Sequence, residues 1–183
     1  MIPEDRGTGR AYAGQHGFTL IELLIVVAVI GVVAAIAVPA VLRARISANE
    51  GSALGSLRAI GGAQTSYYSS AGHGAYAVLL ANLAASCPGS SQPFLSADLG
   101  LDPSLKSGYR ITLEASASAV NGPLDCNGRP TATDYYATAV PLSTATGLRG
   151  FASTSRSTIY FDPTGAAPTE AAMAPGGGGT AIN

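Results

Sequence analysis

The stretch that most constrains this chain is residues 17–42, GFTLIELLIVVAVIGVVAAIAVPAVL, an apolar run that contains one ionisable residue, Glu22. At the rise of an α-helix, residues 18–42 cover roughly 37 Å, enough to cross a hydrocarbon layer about 30 Å thick. Only Thr19 and Glu22 interrupt the apolar surface, so the run does not read as a half-buried helix of a small soluble domain. The composition agrees, because the chain is 47% hydrophobic and only 11% charged, with the apolar excess gathered in its first third. A membrane-associated chain with a modest polar domain fits that distribution better than a compact cytosolic enzyme. Gly31 and Pro39 lie inside the run; a proline removes a backbone donor and crowds the preceding turn, so a kink or loosening is expected just before Pro39. Arg43 and Arg45 close the run, but Arg6 and Arg10 precede it, so basic residues on both sides give no orientation.

Residues 1–16 are polar, glycine-bearing and without apolar periodicity, and they read as a leader or disordered tail. A secretory signal is the competing reading, with Ala35-Ile36-Ala37 as its cleavage signature. The run is too long for a signal core, it holds an acid, and the region before it has no net charge.

Beyond Leu42 the helical period continues. Ile46, Ala53, Leu54, Leu57, Ile60, Gln64, Tyr67 and Tyr68 recur at intervals of three and four, which predicts one helix from about residue 18 to 68. Gly51, Gly55, Gly61 and Gly62 each weaken it by up to about 1 kcal/mol relative to alanine, so the second half needs a partner to pack on, and a break at Gly61-Gly62 is the alternative. After Gly72-His73-Gly74, residues 76–85 suit a short helix and residues 87–91 a loop. Residues 109–114, 135–140, 149–154 and 158–161 then read as four strands, with turns at 121–123 and 127–128, closely enough spaced for antiparallel pairing. The expected division is therefore a leader at 1–17, an apolar helix at 18–42, its amphipathic continuation at 43–68, a head at 69–174, and a flexible glycine-rich tail at 175–183. The fold class is α+β, a long helix packed against a small antiparallel sheet.

Little here suggests chemistry. His16 and His73 have no cysteine or acid at ligand spacing, Asp98, Asp102, Asp125, Asp134 and Asp162 form no calcium loop, and phosphate-binding, nucleophile-elbow and zinc-protease motifs are missing. No cofactor and no enzymatic activity are expected. The net charge of −1 gives no bulk attraction to nucleic acid. Arg110, Arg129, Arg149 and Arg156 read first as a solvated surface, with a basic patch for nucleic acid or another partner as the alternative. Cys87 and Cys126 both follow the apolar run. If that run is an anchor they lie outside the cytoplasm, where an even pair reads as a disulfide; two free thiols in a reducing compartment is the other reading.

Glu22 is the residue the membrane does not explain. A carboxylate within a bilayer costs a few kcal/mol and calls for a partner. An acid near the positive end of a helix dipole at the interface is the simpler account, and charge alone does not separate the two.

The string GFTLIELLIVV, with Gly31 and Pro39 further on, closely resembles the N-terminus of type IV pilins and of type II secretion pseudopilins. The resemblance is strong from residue 17 to about 68 and only general in the head. It implies cleavage between Gly17 and Phe18 by a prepilin peptidase on the cytoplasmic side, and N-methylation of Phe18. It also implies assembly into a homo-oligomeric helical filament by an ATPase-driven platform, with Thr19 and Glu22 in the assembly segment and Glu22 meeting the Phe18 ammonium of a neighbouring subunit. Gly31 and Pro39 would mark a segment that loses helical order in the filament. The location implied is the bacterial inner membrane, then an extracellular pilus serving adhesion, motility or DNA uptake. A pseudopilin forming a periplasmic pseudopilus is the nearest alternative, though the major pseudopilins usually carry an acidic calcium segment that this head lacks. A membrane-tethered surface-binding module is the alternative of another class. The two cysteines also depart from the C-terminal loop that many type IV pilins close.

Overall fold

The computed structural model describes residues 17–182, so of the leader expected at 1–17 all but Gly17 lies outside the described residues. The chain divides into two compact units, Met1–Ala40 and Val41–Asn183. Helix α1, Leu20–Ser70, contributes to both and is assigned without interruption through Gly31, Pro39 and the Gly61-Gly62 pair.

Among the described residues of the first unit, the apolar side chains of the helix are exposed. Ile21, Leu23, Leu24, Ile25, Val29, Ile30, Val33 and Ile36 are all more than half exposed. It is long and apolar enough to cross a membrane by length and composition.

In the second unit the same helix becomes one wall of a core. Glu50, Ala53, Ser56, Leu57, Ile60, Ala63, Gln64 and Tyr67 are buried, at spacings of three and four that keep them on one face. They meet a six-stranded antiparallel sheet in the order β2 (Ser104–Lys106), β3 (Tyr109–Ala115), β5 (Tyr135–Pro141), β6 (Gly150–Thr154), β7 (Ile159–Asp162), β8 (Thr180–Ile182). The pleat sends Tyr109, Ile111, Leu113, Tyr135, Ala137, Ala139, Phe151 and Ile159 inward onto α1. This burial offsets the glycine penalty in α1 and keeps the helix unbroken where propensity alone would favour a break. A two-stranded ladder of β1 (Tyr76–Ala77) and β4 (Thr131–Ala132) lies apart from the main sheet. The helix expected at 76–85 shrinks to α2, Leu80–Leu83, because Tyr76 and Ala77 are drawn into that ladder.

The glycine-rich end is not a loose tail. After α3 (Glu170–Met173), capped by the Thr169 side chain accepting from the Ala172 N–H, the chain turns and adds β8 to the sheet edge. Gly176 and Gly178 have positive φ, and a Cβ at Gly177 or Gly179 would fall 2.1 Å from the Ala171 carbonyl or 2.5 Å from that of Ala172. The run is glycine because Gly176 and Gly178 take positive φ and Gly177 and Gly179 pass close against backbone, not because the segment is unstructured.

Candidate functional site

The N-terminal end of α1 is built by two polar residues in an apolar surround. Thr19 stands before the first helical residue and its Oγ1 accepts from the Glu22 N–H at 3.2 Å, while the Leu23 N–H bonds the Thr19 carbonyl at 3.2 Å. Residues 19–22, T-x-x-E, have the spacing of a capping box, in which a threonine and an acid three residues later satisfy orphan donors of the first turn. The Thr19 hydroxyl also points to Glu22 Oε2 at a long 3.5 Å. Among the described residues, Glu22 forms no ion pair. The carboxylate thus sits in the positive field of the helix start with one weak partner, next to Phe18, which is 79% exposed. Gly17 has nothing within 4 Å of where a side chain would be. The capping signal T-x-x-E is readable in the sequence, where Thr19 stood out as a break in the apolar surface and, through the resemblance, as part of the assembly segment, but not as a cap.

Three further constellations hold α1 to the head, and sequence reading did not find them. Glu50 Oε2 accepts from Arg149 Nε at 2.9 Å and from its Nη2 at 2.6 Å, and Oε1 takes the Leu148 and Arg149 N–H groups at 3.1 and 3.2 Å. Burial pulls this carboxyl upward, but the Arg149 and Leu148 donors outweigh it and hold Glu50 below the usual carboxylate range. Burial, with the Glu50 charge nearby, pushes the Tyr109 phenol up to about 12, and its hydroxyl donates to the Arg149 carbonyl at 2.9 Å.

Gln64, fully buried in α1, behaves like a neighbouring strand toward Ala77: its Nε2 donates to the Ala77 carbonyl at 2.7 Å and its Oε1 accepts the Ala77 N–H at 2.9 Å. At the end of the helix, Tyr67 donates to Asp125 Oδ2 at 2.8 Å, and Asp125 Oδ1 takes the N–H groups of Asn127 and Arg129 at 2.8 and 2.7 Å. Burial first, then the Asp125 bond, raises the Tyr67 phenol well above its ordinary range. Cys126 in the same loop is bonded to Cys87, with their Cα atoms 5.6 Å apart. The four arginines considered as a patch are not equivalent, since Arg149 is held by Glu50 and Arg129 reaches the Ala81 carbonyl and Asn82.

A long apolar N-terminal helix whose second half packs on an antiparallel sheet is an α+β fold of the type IV pilin kind. Residues 12–38 match the family model described as the prokaryotic N-terminal methylation motif. Over 55 residues the chain is 47% identical to the type IV major pilin protein PilA of Myxococcus xanthus (strain DK1622), a stretch covering 30% of this chain and 25% of that relative. The chain thus spans about a quarter of the length of the curated relative it matches. No solved structure matches the chain. The motif and the relative support a resemblance to type IV pilins that covers part of the chain.

Proposed function

We propose that this chain is the structural subunit of a type IV pilus, made as a membrane-anchored precursor, cut between Gly17 and Phe18, methylated on Phe18, and assembled through its N-terminal helix. The observation that carries the reading is the first half of α1: an exposed apolar surface broken by one carboxylate to which, among the described residues, only a weak hydroxyl contact is offered. Such a surface is buried by lipid before assembly and by copies of itself afterwards. The carboxylate acquires its partner from another subunit, the Phe18 ammonium created by cleavage, and that pair sets the axial stagger. Loosening around Gly31 and Pro39 gives the packed helices room to adjust, since Pro39 contributes no donor to the helix. Its partners are a prepilin peptidase, the assembly ATPase and platform, the membrane and further copies; it has no catalytic task and no cofactor.

The test is to shear cells, collect the fibres and determine their N-terminal residue, which is expected to be methylated Phe18. A start at Val38, or an intact leader, refutes the processing. Glu22→Ala is expected to leave cleavage normal and to abolish filaments; filaments in ordinary yield would remove the proposed role of Glu22.

A further inference from the structure

The inner face of the sheet carries a buried hydroxyl without a hydrogen-bond partner among the described residues. Ser153 is 2% exposed and stands in an otherwise apolar row across the strands, Leu113, Ala137, Ser153, Ile159 and Ile182, and its Oγ makes no hydrogen bond. A buried hydroxyl without a partner is uncommon and calls for an explanation. Ser153 lines a groove of about 250 Å³ between α1 and the sheet, together with Arg58, Gly61, Gly62, Thr65 and Tyr135. The two glycines keep it open: a side chain at Gly62 would meet nothing within 4 Å, and one at Gly61 only the Tyr135 hydroxyl at 3.7 Å. No acid lines the groove. Arg58 is exposed and enters neither of the two ion pairs among the described residues, Lys106–Asp98 and Arg149–Glu50. Hydroxyl donors around one cation suit a carboxylate, and the volume lies below the roughly 300 Å³ at which pockets for drug-sized molecules begin, so it suits a single side chain.

The acids of the head are almost all engaged. Glu50 binds Arg149, Asp98 binds Lys106, Asp102 takes the Ala81 N–H, Asp125 takes Tyr67, Asp134 takes the Tyr135 and Ser155 N–H groups, Asp162 takes Thr164, and Glu170 takes Ser116. Among the described acids of the head, Glu114 alone accepts no hydrogen bond and joins no ion pair, and it is exposed. It lies in the outward row with Tyr136 and Thr154, on the opposite face of the sheet from Ser153. One chain therefore does not bring the two together.

We propose that Glu114 of one copy enters the Arg58–Ser153 groove of the next, where Arg58 meets its charge and Ser153 donates to it. The patches that meet are different, so the contact is heterologous, and heterologous contacts propagate into rings or open filaments rather than closing as dimers. The inference rests on the filament reading above and specifies one contact between heads within it.

Cysteines at the two positions test it, because both natural cysteines are already bonded to each other. Filaments of Arg58→Cys/Glu114→Cys, oxidised and run without reductant, are expected to give a ladder of dimers, trimers and longer multimers that neither single variant gives. Filaments that form in ordinary yield yet run as monomers overturn the pairing while leaving the filament reading intact; that is also the result if the groove takes a small acid or another protein. Absence of filaments from the unsubstituted chain overturns both. Should the double cysteine variant fail to assemble, charge exchange decides: Arg58→Glu and Glu114→Arg alone are expected to lower filament yield about fivefold, the scale of one partly exposed charge pair, and the combined exchange to restore it. A combined exchange no better than the single variants also overturns the pairing.

Discussion

At the scale of single residues, the head is held by polar groups on α1 that reach into it. Glu50 has a folded-state pKa below its unfolded value, so its contribution is fully present above the ordinary carboxylate range and is lost as pH falls through the lowered folded value. Glu50→Gln is expected to cost about 1–2 kcal/mol at neutral pH, since Arg149 and two N–H groups lose a charged acceptor. Its acid-side loss of stability should also be shallower than that of the parent chain, as read from thermal melts between pH 3 and 7. Tyr67→Phe removes the one side-chain donor to Asp125 and is expected to cost about 1–3 kcal/mol in denaturant titrations of the head, because the carboxylate stays buried. The importance of these residues was hidden in the sequence. Glu50 and Arg149 are 99 positions apart, and Tyr67 and Asp125 are 58 apart, so neither pair has a local signature. The Thr19 cap, by contrast, is local and legible.

At the scale of elements, periodicity made the long helix and the four longer strands readable, since an unbroken 3.6-residue stripe and alternating β-branched and aromatic residues are strong signals. Strands β1, β2, β4 and β8 escaped because two or three residues carry no period; they exist through pairing with strands already in place. The glycine run misled for a related reason, as composition does not distinguish a mobile glycine from one that lets two backbones touch. Replacing Gly177 by alanine is expected to detach β8, visible as faster amide exchange in residues 180–182, with the rest of the sheet retained. Gly55 is the opposite case, exposed on α1 with open space around it. Gly55→Ala is expected to raise the head's stability by up to about 1 kcal/mol in denaturant titration. The disulfide closes a sequence separation of 39, and in the chain-entropy model a loop of that size contributes about 4 kcal/mol. Its reduction should lower the denaturation midpoint of the head by a corresponding amount, measured with and without reductant.

At the scale of the whole molecule, two solvents are written into one helix. Residues 20–40 expose apolar side chains all round, whereas from Glu50 onward one face is buried in the head. A fragment spanning 45–183 keeps every buried residue of that face and is expected to be monomeric in buffer, while the full chain partitions into membranes or detergent; sedimentation in each medium checks it. The resemblance to type IV pilins was legible from residue 17 to about 68 and only in general layout beyond, and the family model matches residues 12–38. The head's own surface, including the groove beside Arg58, had no counterpart in any sequence pattern, because it is assembled from one helix and three strands brought together only by folding.

The polar pins along α1 also decide how the head would carry a mechanical load. Glu50 grips one end of the packed face and Tyr67 the other, roughly 25 Å apart at the helical rise, with Gln64 close to the second. A pull along the helix axis loads these bonds in shear and together, so that sliding by even part of a turn requires all of them to give at once. A tether fastened at both ends in this way resists traction far better than the same bonds peeled open one after another.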